Sequence, residues 1–164
     1  MVDLDVECPI LESDSYSFEE LNSGALVHIP IASGIYKVYK PNNFEIKFRV
    51  DTDSPYAVYT VNELCEKWTT ICKYPGYEDG LLYIGRAINL QKRIRQFVRT
   101  GYGKNAKHSG GKAIFQLENN KQLRIKIFEC EDYKEREAKE IEAYKKHRTV
   151  YPLANWQSGT KQSL

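Results

Sequence analysis

The chain has 164 residues, of which 41% are hydrophobic and 28% are charged, with a formal net charge of +2. This size is enough for one hydrophobic core and short for two. No apolar stretch is long enough to span a bilayer, and acidic residues stand at the N-terminus where a secretory signal requires basic ones. The sequence therefore predicts a cytoplasmic protein with no membrane segment.

Charge is distributed unevenly along the chain. Residues 1–30 contain seven acids and no lysine or arginine, whereas residues 81–117 contain eight basic residues and no acid. Basic residues concentrated in one segment are typical of proteins that bind a polyanion. Solvated basic helices are also common in proteins that bind no nucleic acid, so charge alone favours neither interpretation. The basic residues are Arg86, Lys92, Arg93, Arg95, Arg99, Lys104, Lys107 and Lys112.

The first predicted elements are an irregular arm and two strands. The acidic arm over 1–30 is expected to be irregular, because Pro9 and Pro30 limit regular structure. A strand rich in aromatic and branched residues is predicted over 33–39. Regular alternation of apolar and polar residues predicts a second, half-buried strand over 44–50.

Two helices and a buried strand are predicted next. Apolar spacing predicts a short helix over 61–72 with Asn62 as its cap. The apolar run 81–85 predicts a strand covered on both faces. Asn89 is expected to cap a second helix, which places most of its basic residues on the side away from its apolar face.

A glycine- and lysine-rich loop over 100–112, a strand over 123–128 and a helix over 134–148 complete the pattern. The order predicts one α/β (α+β) domain with a small mixed or antiparallel β-sheet flanked by helices. The predicted divisions are an arm at 1–30, a domain at 31–157 with an insertion at about 40–79, and a tail at 158–164.

An acidic residue lies in the apolar stripe of the last predicted helix. At about 100° per residue, Glu137 lies about 40° from Ile141, the centre of the stripe, and Glu142 lies at its edge. A buried carboxylate costs free energy unless it is paired, solvated by a cleft or bound to a metal. Glu137 is therefore either a salt-bridged glutamate or a functional one, with Glu142 as its alternative.

Two tyrosines lie close to glycines in predicted strands. Gly34 precedes Tyr36 by two residues, and Gly85 follows Tyr83 by two. Glycine inside a strand often marks the close approach of a ligand or another backbone, although most tyrosines in strands are core residues with a satisfied hydroxyl. The two tripeptides, Gly-Ile-Tyr and Tyr-Ile-Gly, resemble the two halves of the signature of the GIY-YIG nuclease family.

Further segments resemble the same family, over about three quarters of the chain. Arg93 ends a segment similar to the family's NLxxR helix, which implies that it is the catalytic arginine. Glu137 begins a segment similar to the ExxLI motif, which implies that it holds a divalent metal. Asn155 resembles the active-site asparagine that closes the domain, and His108 begins an HSGG[RK] element found in one branch of the family.

The sequence departs from the family pattern in three places. Tyr36 and Tyr83 are 47 residues apart, so the segment between them forms an insertion that either reads DNA or braces the sheet. Phe97 stands where many members carry histidine or tyrosine, and His108 is expected to take over that role. Glu140 replaces an apolar residue of the ExxLI motif, so the register of the metal-binding glutamate stays open.

The resemblance implies a metal-dependent endonuclease that hydrolyses DNA phosphodiester bonds to a 5′-phosphate and a 3′-hydroxyl. Mg²⁺ is the expected ion, with Mn²⁺ as a substitute, held by Glu137 and by waters. Arg93 is expected to bind the scissile phosphate. Tyr36 is the candidate general base with His108 as the alternative, and Tyr83 is expected to position the water or the phosphate.

The expected partner is double-stranded DNA. One alternative is a catalytically inactive nucleic-acid-binding module of the same fold. Another is a sequence-specific restriction endonuclease, which the insertion and the HSGG element favour. A lone active site cuts one strand per encounter, so double-strand cleavage would indicate a homodimer. The residues expected to contact neighbouring phosphates are Arg86, Lys92, Arg95, Arg99, Lys104, Lys107 and Lys112.

Overall fold

The computed structural model of the protein describes residues 15–49, 59–103 and 111–156. The elements in chain order are β1 (Tyr16–Ser17), α1 (Phe18–Asn22), β2 (Gly34–Tyr39), α2 (Val61–Cys72), β3 (Leu81–Ala87), α3 (Leu90–Gly101), β4 (Arg124–Glu129) and α4 (Tyr133–Arg148). Short 3₁₀ helices lie at Ala25–His28, Lys112–Gln116 and Asn120–Gln122. None of the helices in these ranges has the length and apolar character that crossing a membrane requires.

The four strands form one antiparallel sheet in the order β1-β4-β2-β3. Alternate side chains of β2 point to opposite faces of the sheet. Tyr36 faces α3, where its ring packs against Phe97, and Lys37 faces α4, where it contacts Glu140. The sheet therefore lies between α3 and α4, which confirms the predicted α/β fold with a small antiparallel sheet and flanking helices.

The core on the α3 side of the sheet is largely aromatic. Phe97 of α3 lies at its centre, with ring centroids 5.3 Å from Phe18 and 5.2 Å from Phe115. Tyr36 and Tyr83 complete the cluster from β2 and β3. Burial of such large rings is a major source of stability in a domain of this size.

Residues 15–29 belong to the folded core, so the irregular structure expected for them is wrong. β1 pairs with β4, and Phe18, Leu21 and Ile29 are buried. The side chain of Ser17 caps α1 by accepting a hydrogen bond from a backbone N–H. A two-residue strand and a five-residue helix are too short for a periodic pattern, so tertiary burial decided them. The division of the chain into an arm, a domain and a tail stays a prediction.

The strand expected over 44–50 is also wrong for its described part. Residues 44–49 contain a single bridge, between Phe48 and Leu117. Two of their backbone hydrogen bonds go to residues at and after the end of the Lys112–Gln116 turn rather than to the sheet. The Arg49 N–H donates to the Gln116 carbonyl at 2.6 Å, and the Lys47 carbonyl accepts from the Glu118 N–H at 2.8 Å. The alternation is present in the sequence, but residues 44–49 pair with none of the four strands that the structure describes.

The helix predicted over 61–72 is confirmed as α2, but its cap is Thr60 and not Asn62. The Thr60 hydroxyl accepts from the Glu63 N–H at 3.1 Å, and the Glu63 carboxylate accepts from the Thr60 N–H at 2.8 Å. This reciprocal capping box satisfies two backbone donors, whereas a single cap at position 62 would satisfy one.

Candidate active site

The two signature strands bring Tyr36 and Tyr83 together. Tyr36 lies opposite Gly85 in the β2–β3 pairing, and the two tyrosine ring centroids are 6.0 Å apart. A Cβ added to Gly85 would lie 2.3 Å from the Tyr36 ring, so only glycine lets that ring cross β3. A Cβ added to Gly34 would lie 2.2 Å from a carbonyl oxygen of β4. Both glycines therefore mark close approaches, as the sequence predicted.

The hydroxyl of Tyr36 accepts hydrogen bonds from the Tyr83 hydroxyl and the Arg93 guanidinium. Burial raises the pKa of Tyr36 to about 12, although the charge of Arg93 and both hydrogen bonds lower it. Burial also raises the pKa of Tyr83, and Tyr36 and Glu137 raise it further. Of the two phenols, Tyr36 therefore has the surroundings that favour the phenolate more.

Glu137 is the carboxylate that reaches this cluster. It is 7% exposed, and its Oε1 lies 3.6 Å from Nε of Arg86. Burial raises the pKa of Glu137 to about 7, whereas Arg86 and Arg93 lower it. The two arginines therefore compensate the buried charge only in part. Within the described residues, no group of three or more His, Cys, Asp and Glu side chains is arranged to hold a metal ion.

The rival glutamate and the substituted aromatic lie elsewhere. Glu142 is exposed on α4, whereas Glu137 is buried on the side of that helix that faces the cluster. Phe97 is fully buried among the aromatic rings of the core. His108 lies outside the described residues. Gly111 follows it by three residues, has a φ of +71°, and an added Cβ there would lie 3.0 Å from the Tyr83 ring.

Asn155 is fastened to the signature strand. Its side-chain Oδ1 accepts from the Ile84 N–H and its Nδ2 donates to the Ile84 carbonyl, both at 2.9 Å. The neighbouring Ala154 N–H donates to the Leu82 carbonyl at 2.8 Å. This segment thereby covers the outer edge of β3, the last strand of the described sheet. Asn155 contacts the backbone of the signature strand and so holds the strand in place.

The basic residues divide into two groups. Lys92, Arg95 and Arg99 are exposed on α3, as predicted from its apolar stripe, and the Asn89 side chain caps this helix as expected. Arg86 differs from them, because its side chain is mostly buried beside Glu137. Lys112 is half-buried at the start of its 3₁₀ turn. Lys104 and Lys107 lie outside the described residues.

Two features of the site escaped the sequence analysis. The first is the pairing of Arg86 with Glu137, which lie in different elements, β3 and α4, and far apart in the sequence. The second is a buried charge network in which Lys37 contacts Glu78 and Glu140. The sequence did contain a sign of this network. Lys37 lies inside an apolar strand and Glu140 stands at a position that is apolar in the family motif, and the two side chains carry opposite charges.

A family model described as the GIY-YIG catalytic domain matches residues 57–151, more than half of the chain. The chain belongs to the GIY-YIG nuclease family. It therefore carries a nuclease domain of the hydrolase class, for which nucleic acid is the substrate, and GIY-YIG nucleases generally use divalent metals. No curated protein and no solved structure matches the chain.

The family match begins after Tyr36 and ends before Asn155. The place of Tyr36 in the GIY-YIG signature rests instead on the strand register, which sets it directly opposite Gly85. Asn155 is tied to the same signature strand by its two hydrogen bonds to Ile84. The structure thus brings both residues to the strand that carries Tyr83 and Gly85, and their roles in the site stay a prediction.

Proposed function

We propose that this GIY-YIG protein is a divalent-metal-dependent endonuclease that hydrolyses double-stranded DNA to a 5′-phosphate and a 3′-hydroxyl. The observation that supports it is the cluster of Tyr36, Tyr83, Arg93 and Glu137. These residues combine a buried carboxylate, a permanent cation and two phenols, which are the groups that a metal-assisted phosphodiester hydrolysis requires.

Glu137 is the proposed ligand for Mg²⁺ or Mn²⁺. It offers hard oxygen donors, and its buried charge is only partly compensated by an arginine at 3.6 Å, so a cation beside it would be stabilised. One carboxylate suits an ion that keeps most of its own waters. A bound ion would polarise the scissile phosphate and stabilise the leaving 3′ oxygen. Glu142 is too exposed to share this environment.

The arginines would bind the substrate phosphates. Arg93 is proposed to donate to the scissile phosphate, because its guanidinium lies beside the Tyr36 hydroxyl and carries a permanent charge. Arg86 is proposed to contact the same or the next phosphate, because its side chain lies beside Glu137. The exposed residues Lys92, Arg95 and Arg99, together with Lys104, Lys107 and Lys112, would bind the DNA backbone without reading its sequence.

Tyr36 is the proposed general base, and Tyr83 orients it through their hydrogen bond. The two donors to the Tyr36 oxygen stabilise its phenolate, although burial keeps its pKa near 12 without substrate. His108 remains the alternative base, since an imidazole titrates near neutral pH. A pH–rate profile separates them, because Tyr36→Phe should abolish cleavage at every pH, whereas loss of His108 alone should leave activity that rises toward alkaline pH.

The decisive experiment incubates supercoiled plasmid with the purified protein and Mg²⁺ or Mn²⁺, with EDTA as a control. Glu137→Ala should abolish nicking, and the matched variant Glu142→Ala, on the exposed side of the same helix, should cut like the wild type. If Glu142→Ala abolishes cutting and Glu137→Ala does not, the metal ligand has been assigned wrongly.

The same experiment separates the alternatives. A wild-type protein that binds DNA but never cuts plasmid or branched DNA would support the inactive binding module. The simultaneous presence of Tyr36, Tyr83, Arg93 and Glu137 argues against that outcome. Discrete bands would identify a sequence-specific restriction endonuclease, and double-strand cleavage would support a homodimer.

A further inference from the structure

A buried charge network connects the first signature strand to α4. Lys37 of β2 is 3% exposed, and its ammonium donates to Glu78 at 2.9 Å and to Glu140 at 3.0 Å. The Tyr39 hydroxyl donates to Glu78 at 3.0 Å, and Nε of Arg136 donates to Glu140 at 3.1 Å. The network therefore joins three parts of the chain: β2, the end of the insertion, and α4.

Glu140 stands one helical turn after Glu137. Residues three apart on an α-helix lie on the same side of it. A fixed contact between Lys37 and Glu140 therefore limits both the rotation of α4 and its distance from β2. β2 also carries Tyr36, so the contact links the strand of the phenol to the helix of the carboxylate.

The segment between the two signature strands makes two further polar ties to the rest of the domain. Arg148, at the end of α4, is 3% exposed and donates to the Ile71 carbonyl at 2.7 Å and to the Tyr77 carbonyl at 3.0 Å. Lys67 of α2 donates to the carbonyl of Asn155, the residue whose side chain holds β3. Three polar ties thus connect the described part of this segment to β2, to α4 and to the β3 edge.

Burial of these charges calls for a reason other than stability. Desolvation of a lysine and two glutamates offsets most of their mutual attraction, so an apolar cluster of equal volume would be at least as stable. Charged hydrogen bonds require a defined direction and length, whereas apolar packing does not. They can therefore specify one arrangement of the packed elements. The desolvation cost of these three side chains is therefore consistent with a network that fixes the relative positions of β2 and α4.

We propose that the contact between Lys37 and Glu140 is an internal brace, and that these two are positioning residues that fix Glu137 relative to Tyr36 and Arg93. Glu78, from the segment between the two signature strands, supports the brace by holding the Lys37 ammonium. This inference rests on the proposed metal-dependent cleavage, in which Glu137 holds the ion.

The test uses Glu140→Ala, which cuts the tie to α4 but leaves Lys37 paired with Glu78, so the fold should persist. Glu140→Gln keeps an oxygen that accepts from Lys37 and should rescue function. Glu135→Ala removes an exposed glutamate from the first turn of the same helix and is the matched control. The readouts are kcat and KM on plasmid, the Mn²⁺ concentration at half-maximal rate, and amide hydrogen exchange of α4.

For Glu140→Ala we expect kcat to fall by about tenfold to a hundredfold, since displacement of a catalytic group by about 1 Å costs up to that much. The Mn²⁺ requirement should rise, KM for DNA should stay unchanged, and the first half of α4 should exchange faster. Glu140→Gln and Glu135→Ala should resemble the wild type. Unchanged kcat, Mn²⁺ requirement and exchange in Glu140→Ala would overturn the proposal.

Hydrogen exchange keeps this test separate from the proposed function. If the wild type cuts no DNA but Glu140→Ala loosens α4 and Glu140→Gln does not, the brace stands and the proposed catalysis fails. If the wild type cuts and Glu140→Ala leaves α4 exchange unchanged, the brace fails alone.

Discussion

Replacement of Gly85 by alanine should displace Tyr36. An added Cβ would lie 2.3 Å from Cζ and 2.6 Å from the hydroxyl oxygen of Tyr36. Ordinary van der Waals contacts begin near 3.4 Å, so the ring must recede by about 1 Å. Tyr36 is fully buried against Tyr83 and Phe97, so the ring cannot recede without carrying its hydroxyl away from Arg93.

The expected losses follow from that displacement. A misplacement of about 1 Å at a catalytic group lowers the rate on the order of 10²-fold, or about 3 kcal/mol in the activation barrier. Overpacking the core should also lower the free energy of unfolding by about 1–3 kcal/mol. The Gly85→Ala variant should therefore lose far more kcat than its folded fraction alone explains.

The assay measures kcat for plasmid cleavage and the free energy of unfolding in urea. The matched control is Gly101→Ala, in which the added Cβ would lie 2.5 Å from the ring of Phe115 rather than from a signature tyrosine. That variant should be destabilised to a similar degree and keep the wild-type kcat per folded molecule. A Gly85→Ala protein with wild-type kcat would refute the argument, because the position of the Tyr36 hydroxyl would then not matter.

Three further predictions follow from the charges and hydrogen bonds of the site. Burial raises the pKa of Glu137 from 4.5 to about 7, so without metal its contribution to stability is present below pH 4.5 and is lost as the pH rises through 7. Urea unfolding at pH 4.5 and at pH 8 measures this loss, and Glu137→Gln should make the difference between the two free energies of unfolding smaller by roughly 3 kcal/mol. An unchanged pH dependence would contradict the raised pKa of Glu137. Asn155→Ala should lower the free energy of unfolding by about 2 kcal/mol, since it leaves two backbone groups of β3 without their partners; a neutral effect would mean that water replaces the amide. Alanine at Lys92, Arg95 and Arg99 together should reduce the slope of log K against log salt by about 3 in DNA binding, and an equal slope would place the DNA on another face.

Local patterns in the sequence were enough to predict most of the framework. Alternation and apolar runs predicted β2, β3 and β4, and the capping residue Asn89 predicted the start of α3. The angular position of Glu137 in the stripe of α4 predicted its burial. These features depend on residues within one or two turns of each other, which is the range over which side-chain periodicity is set.

Short or unpaired segments could not be predicted in the same way. The alternating residues 44–49 lack a strand partner, and the elements before residue 23 are shorter than any pattern. Their conformation depends on whether a complementary surface is nearby, and that surface is supplied by distant parts of the chain.

The sequence by itself determined the two signature strands, the amphipathic helices and the identity of the candidate catalytic side chains. Only the tertiary structure decided which polar groups meet: Arg86 with Glu137, Lys37 with Glu140, and the Asn155 amide with the Ile84 backbone. The last two contacts join residues 103 and 71 positions apart. A buried charge specifies that it must have a partner but not which one, because that choice depends on how the strands and helices pack against each other.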